Sequence, residues 1–159
     1  VCSRTHADAW VRAGRVRVNG RVASDPREHC DLARDDVRVD GRRVEAVAHV
    51  HVMLHKPRGF LTTRDDPEGR KNVYELLVGL DAWVVPVGRL DGETSGLLLF
   101  TNDTALAESL TNPAHHVEKT YVVTARPRVD AAALDRLARG VELRDGPTRP
   151  ARVSASMPR

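Results

Sequence analysis

Asp91 sits in the segment Gly88-Arg89-Leu90-Asp91-Gly92, between the valine-rich stretch Val84–Val87 and the apolar run Leu97–Phe100. A single ionised carboxylate held this way can attack a sugar carbon or a base, or stabilise a cationic sugar, which is one half of the logic of a glycosidase. Gly88 and Gly92 allow a tight turn, and the run after it would anchor that turn on a rigid strand. If residues 88–91 continue the preceding strand, Arg89 and Asp91 share a face and the guanidinium keeps the carboxylate ionised by direct pairing. Lys119 and Tyr121 are similarly spaced on a predicted strand, Lys119–Val123, and could face one pocket. An aspartate in a glycine-rich turn is, by itself, more often a turn-former. Hydrolysis of a glycosidic bond would need a second carboxylate as general acid, and none has a comparable setting.

The histidines and cysteines point away from metal or redox chemistry. His49, His51 and His55 surround an apolar strand and His115-His116 form a pair, but no His-Glu-x-x-His or similar carboxylate cluster accompanies them. No metal is expected. Cys2 and Cys30 belong to no Cys-x-x-Cys pair, so free thiols are expected.

The elements that must position these residues follow from the pattern. Thr5 with Asp8 resembles a capping box and Gly14 stands where a helix would stop, which predicts a helix near 5–13. Val16 and Val18 alternate with Arg15 and Arg17 before Asn19-Gly20, and the pattern returns at Val37, Val39 and Asp40-Gly41, so two tight hairpins follow. This small unit closes near residue 44, and 45–48 read as a short connection. Val50, Val52 and Leu54 then form a strand ending at Lys56-Pro57-Arg58-Gly59. Residues 65–71 are too polar and turn-rich for regular structure, and Asn72 with Glu75 caps a short helix through Leu77. Leu97–Phe100 suits a buried strand, Asp103 or Thr104 caps a helix through Leu110, and Asn112-Pro113 stops it. Asp130–Gly140 has both ends of a helix, and Val141–Leu143 with Asp145-Gly146 begins a strand pair.

The fold class expected is α+β: a small α/β module at 1–44, a linker at 45–48, and a mixed, mainly antiparallel domain at 49–159. A chain of 159 residues with 41% hydrophobic content can bury a core of this kind. The 25 Lys+Arg against 22 Asp+Glu leave only +3, so charge alone favours nucleic acid weakly. The arginines Arg12, Arg15, Arg17, Arg21 and Arg27 are nevertheless gathered in the first module, where guanidinium groups would suit phosphate. No apolar run is long enough to span a bilayer and no export signal is evident, which places the chain in the cytoplasm.

Pro86-Val87-Gly88-Arg89-Leu90-Asp91-Gly92-Glu93-Thr94-Ser95-Gly96-Leu97-Leu98-Leu99-Phe100-Thr101-Asn102-Asp103 closely resembles the central motif of the RsuA-like ribosomal RNA pseudouridine synthases. His55-Lys56-Pro57-Arg58-Gly59 resembles that family's first strand and turn, and Val117-Glu118-Lys119-Thr120-Tyr121 its Lys-x-Tyr motif. Cys2-Ser3-Arg4 together with Val11–Gly20 resembles the S4 RNA-binding motif. The resemblance implies an isomerase that cleaves the N1 glycosidic bond of uridine, turns the base, rejoins it at C5 and removes the C5 proton, with no cofactor. It makes Asp91 the catalytic carboxylate and Tyr121 the residue that stacks on the uracil and assists proton removal, with Arg89 supporting Asp91. Arg4, Arg12, Arg15, Arg17, Lys56, Arg58 and Lys119 would hold RNA. The implied partner is ribosomal RNA or an assembling ribosomal subunit, met by a monomer. Attack on the sugar, attack on the base and elimination through a glycal all use the same carboxylate.

The sequence departs from the family pattern in three places. The helix that usually precedes Cys-Ser-Arg is absent, the basic Gly-Arg-x-x-Gln-x-x-Arg-like segment that usually follows is absent, and Thr104 replaces a common glycine. A truncated chain is therefore expected at both ends. The rival reading is a non-catalytic RNA-binding or ribosome-assembly module, which would share the salt-sensitive RNA affinity.

Overall fold

A computed structural model describes residues 2–155, so residue 1 and residues 156–159 at the outer ends of the two predicted modules lie outside it. The chain divides into two compact units, Val1–Val117 and Glu118–Arg159, a division that falls inside the predicted 49–159 domain.

The first unit begins with α1 (Arg4–Arg12). Its cap is Ser3, whose hydroxyl accepts from the His6 amide at 3.2 Å, two residues earlier than the expected Thr5–Asp8 box. Gly14, at φ +69°, ends it as expected. Four short strands follow, β1 (Val16–Val18), β2 (Arg21–Val22), β3 (Val37–Val39) and β4 (Arg42–Arg43), in one antiparallel sheet of order β2-β1-β3-β4. The two hairpin turns are built alike: Asn19 and Asp40 both have φ 50°, followed by Gly20 at +81° and Gly41 at +79°. Those paired positive angles are what a two-residue turn of this hand requires. Arg17 donates to the Gly20 carbonyl and Arg38 to that of Gly41, so each hairpin repeats the same brace.

A second sheet has the order β5-β7-β6, all antiparallel, from β5 (His51–Lys56), β6 (Val85–Val87) and β7 (Gly96–Thr101). Period-two alternation sorts its faces. Leu98 and Phe100, at 2% and 1% exposure, point into a core with Val73 and Val84, and Val52 and Leu54 of β5 pack beside them. Burying Phe100 alone is worth about 1.5–3 kcal/mol. Tyr74 meets its ring edge-on at 5.8 Å. Met53 and Leu97, on the opposite face, are 80% and 65% exposed.

Residues 65–71 form no regular element, and a single 3-10 turn, Val73–Leu76, follows the reciprocal box of Asn72 and Glu75. α2 (Thr104–Thr111) starts at Asp103, whose carboxylate accepts from the amides of Ala105 and Leu106, and packs against β6 and β7. It stops at Asn112 because a residue before proline is driven out of the helical region, here to ψ 121°.

The second unit holds α3 (Ala131–Arg139), capped by Asp130, and a hairpin of β8 (Glu142–Leu143) and β9 (Gly146–Pro147). Gly140 is fixed by space as well as angle. A Cβ there would stand 2.6 Å from the Thr148 carbonyl oxygen. The strand expected at Lys119–Val123 is not formed. No strand pairs with that stretch among the described residues, and an unpaired extended segment gains no ladder hydrogen bonds, however β-prone its residues. Val122 is accordingly 99% exposed.

Candidate active site

Asp91 lies just beyond β6, in the turn that leads to β7, and its side chain lines a cleft of about 290 Å³. Leu61, Thr62, Asp66, Arg70, Arg89 and Leu90 contribute to the same walls. β6 ends at Val87, and Gly88 turns the chain away at φ +87°. Residues 88–91 therefore do not continue the strand. The expected Arg89–Asp91 pairing is corrected accordingly: both residues face the cleft, but no ion pair joins them among the described residues.

The cation tied to this turn is Lys56. Its side chain is fully buried, and its ammonium donates to the carbonyls of Asp91 at 2.9 Å, Thr94 at 2.8 Å, Gly92 at 3.3 Å and Pro57 at 3.2 Å. Burial pulls its pKa below the ordinary lysine value, while the charges of Asp91 and Glu93 oppose that shift. Lys56 is thus corrected as an RNA contact: a side chain with no exposed surface cannot reach a phosphate.

Thr62 grips the other side of Asp91. Its hydroxyl donates to the Leu90 carbonyl at 2.7 Å and accepts from the Leu90 amide at 3.2 Å. The Thr94 amide donates to the Asp91 carbonyl at 3.0 Å, and the Gly59 amide to that of Gly92 at 2.8 Å. Gly92 is packed close, since a Cβ there would approach Leu61 to 3.3 Å. The backbone on both sides of Asp91 is thereby fixed while its carboxylate stays exposed in the cleft, which is the preorganisation a reacting group needs. Nothing in the local sequence marked Thr62, because its partner is 28 positions away.

Across the cleft Asp66 accepts from Arg70 through both side-chain oxygens and from its amide, which holds its carboxyl at about 2. Arg64 is stacked between Tyr74 and Trp83, 4.0 and 3.7 Å from their ring centres, and pins the start of the 65–71 loop. Arg58 is exposed on the turn after Pro57. Tyr121 is 59% exposed in the second unit, in the same irregular stretch as Lys119.

In the first module Arg4, Arg12, Arg15 and Arg17 are all exposed. Arg15 is engaged with Asp40 by a forked ion pair and lies 5.2 Å from the Trp10 ring centre, so part of its charge is spent within the protein. Strand register adds two arginines that the sequence reading did not single out. Arg17 is opposite Arg38 and Arg38 is opposite Arg43, making a row across the sheet. The signal for them was the second hairpin itself, which repeats the first. Cys2 is half-buried and Cys30 exposed, and both are free thiols.

Residues 50–152 match the family model described as RNA pseudouridylate synthase. The chain belongs to that family. Residues 1–36 also match the S4 domain model. Among curated relatives of this synthase family, the ribosomal large subunit pseudouridine synthase B of Bacillus subtilis is 37% identical over 96% of this chain and 62% of its own length. The protein of the same description from Pseudomonas aeruginosa is 43% identical over 94% of this chain and 40% of its own length. The chain thus spans about 40% to 62% of these relatives. A crystal structure of a pseudouridylate synthase superposes with a TM-score of 0.61 at 29% identity, covering 93% of this chain and 64% of that one. The α+β architecture is that of the synthase family.

Proposed function

We propose that the protein isomerises uridine to pseudouridine at a specific site in ribosomal RNA, with Asp91 as the catalytic carboxylate. The observation that carries this reading is the Asp91 turn: a carboxylate exposed in a cleft on a backbone held from both sides by Thr62 and Lys56. Such a group can attack the ribose or the uracil, or stabilise a cationic sugar, without help from a redox centre. Since C1′ and C5 are inaccessible inside a helix, the uridine must be taken out of its stack, and the cleft mouth beside Asp91 is where it would enter. By family resemblance Tyr121 stacks on the uracil and assists removal of the C5 proton, and Arg89, lining the same cleft, adds positive charge that favours the ionised form of Asp91.

The S4-like module at 1–44 grips structured RNA, the segment 45–48 links it, and residues 49–159 carry the reaction. Arg4, Arg12 and Arg17 with Arg38 and Arg43 of the arginine row meet phosphates, joined by Arg58 and Lys119. The substrate is ribosomal RNA or an assembling subunit, met by a monomer in the cytoplasm.

Incubation of the chain and its Asp91→Asn variant with unmodified ribosomal RNA, followed by mapping of pseudouridine along both subunit RNAs, tests this. The parent is expected to modify a defined uridine and the variant none, with RNA affinity unchanged. Failure of both, with intact binding, would leave an RNA-binding module in place of an enzyme.

A further inference from the structure

His49, His51 and Asp103 come together at the end of the β5–β7 ladder remote from Asp91. One ligand atom from each lies within 4.8 Å of the other two. His49 Nδ1 stands 3.2 Å from Asp103 Oδ2. Two atoms bound to one zinc ion at about 2.0–2.1 Å, and subtending a near-tetrahedral angle, are separated by about 3.3 Å. The spacing of the first two ligands is therefore already that of neighbours on one ion, and the third stands within 4.8 Å of both.

The surroundings are organised as a metal site's supporting groups are. The Oδ1 atom of Asp103 is taken up by the amides of Ala105 and Leu106 at the start of α2, which leaves Oδ2 to face the histidines. The buried hydroxyl of Thr101 shares a hydrogen bond with His51 Nδ1 at 2.9 Å and accepts from the Asp103 amide at 2.9 Å, fixing the ring relative to the carboxylate. Asn102 brackets His49, accepting from the Val50 amide at 2.8 Å and donating to the Ala48 carbonyl at 3.0 Å. Each of the three candidate ligands is thus placed by a neighbour that is not itself a ligand.

We propose that His49, His51 and Asp103 form a binding site for a divalent transition metal of the zinc class, with water completing the coordination. Two imidazoles and one carboxylate are borderline donors that suit Zn²⁺, Co²⁺ or Ni²⁺ and suit Ca²⁺ or Mg²⁺ poorly. The site lies five residue steps along β5 from Lys56, about 16 Å at the usual rise of a strand, so the ion takes no part in chemistry at Asp91. Its effect is mechanical: it ties the entry of β5, immediately after the 45–48 connection, to the first turn of α2. The proposal is independent of the proposed isomerase activity.

Titration of the full, tag-free chain with Zn²⁺ against a chromophoric chelator, and with Co²⁺ followed by its visible d–d bands, tests the site. One ion per chain is expected at micromolar concentrations, with a higher melting temperature when it is bound. Asp103→Asn and His51→Ala are expected to weaken binding about tenfold or more, whereas His115→Ala leaves it unchanged. Asparagine caps a helix as well as aspartate does, so the folding of Asp103→Asn is preserved and its loss of metal reports ligation. No uptake by the parent, equal binding by Asp103→Asn and His51→Ala, or binding abolished only by alkylation of Cys2 and Cys30, would overturn the assignment.

Discussion

The two hairpin turns of the first module and the turn that carries Asp91 are both glycine-bearing, but they are specified differently. Asn19-Gly20 and Asp40-Gly41 set their backbone angles through their own residue types and come out nearly identical in φ, with Asn19 bonded to Asp35 and Asp36 and Asp40 to Arg15 as additional support. The Asp91 turn is held by Lys56 and Thr62, 35 and 28 positions away, and by a close approach between Gly92 and Leu61. A turn that must hold only strands can be written locally. A turn that must hold a reacting group in one place draws its rigidity from outside.

Removing the remote support should break the contrast most sharply. Lys56→Met keeps the side-chain volume but removes the ammonium from four carbonyls, of which those of Asp91 and Gly92 keep an amide partner, and is expected to cost about 3–5 kcal/mol in urea unfolding. Amide exchange should quicken at residues 91–94 and stay unaltered at residues 18–21. A smaller effect tests the local side. Gly20→Ala and Gly41→Ala have open space around the new methyl group, so each should cost only the left-handed backbone penalty, about 1–2 kcal/mol. The two losses should match. Unequal losses by denaturant titration would show that one hairpin depends on its surroundings after all.

The smallest effect concerns the loop opposite Asp91. The folded-state pKa of Asp66, about 2, lies below the ordinary 3.8 because of its bonds to Arg70. A depressed carboxyl pKa contributes stability that is present above about pH 4 and disappears as pH falls toward 2. Stability measured between pH 5 and pH 2 should decline through this window, and Asp66→Asn should remove that part of the decline. An unchanged acid limb in the variant would mean that the Asp66–Arg70 pair does not persist in solution.

What was legible in the sequence follows the same division. Both hairpins, the Asn72–Glu75 box, the end of α2 at Asn112-Pro113 and the Asp130–Gly140 helix were readable, because each is decided by residues within a few positions of one another. The motif around Asp91 was recognisable as a family resemblance. The environment of that carboxylate was not, because the cation on its turn arrives from β5 and the neighbouring arginine, Arg89, makes no ion pair with it. The strand at Lys119–Val123 failed for a related reason, since β propensity describes a segment and a strand needs a partner. His51 was placed correctly on a strand and His49 falls two residues before its start, yet the carboxylate beside them belongs to the cap of α2, 52 positions beyond His51.

The burial of Lys56 has a consequence for reagents that never enter the cleft. An amine with no exposed surface and four carbonyl partners is shielded from acylating or cyanate-type electrophiles, while the chain's other lysines, Lys71 and Lys119, are exposed. Covalent labelling at Lys56 would therefore occur only in molecules whose Asp91 turn has opened. Its rate becomes a clock for that opening, readable by mass spectrometry on a single peptide, with the exposed Lys71 and Lys119 in the same sample for comparison.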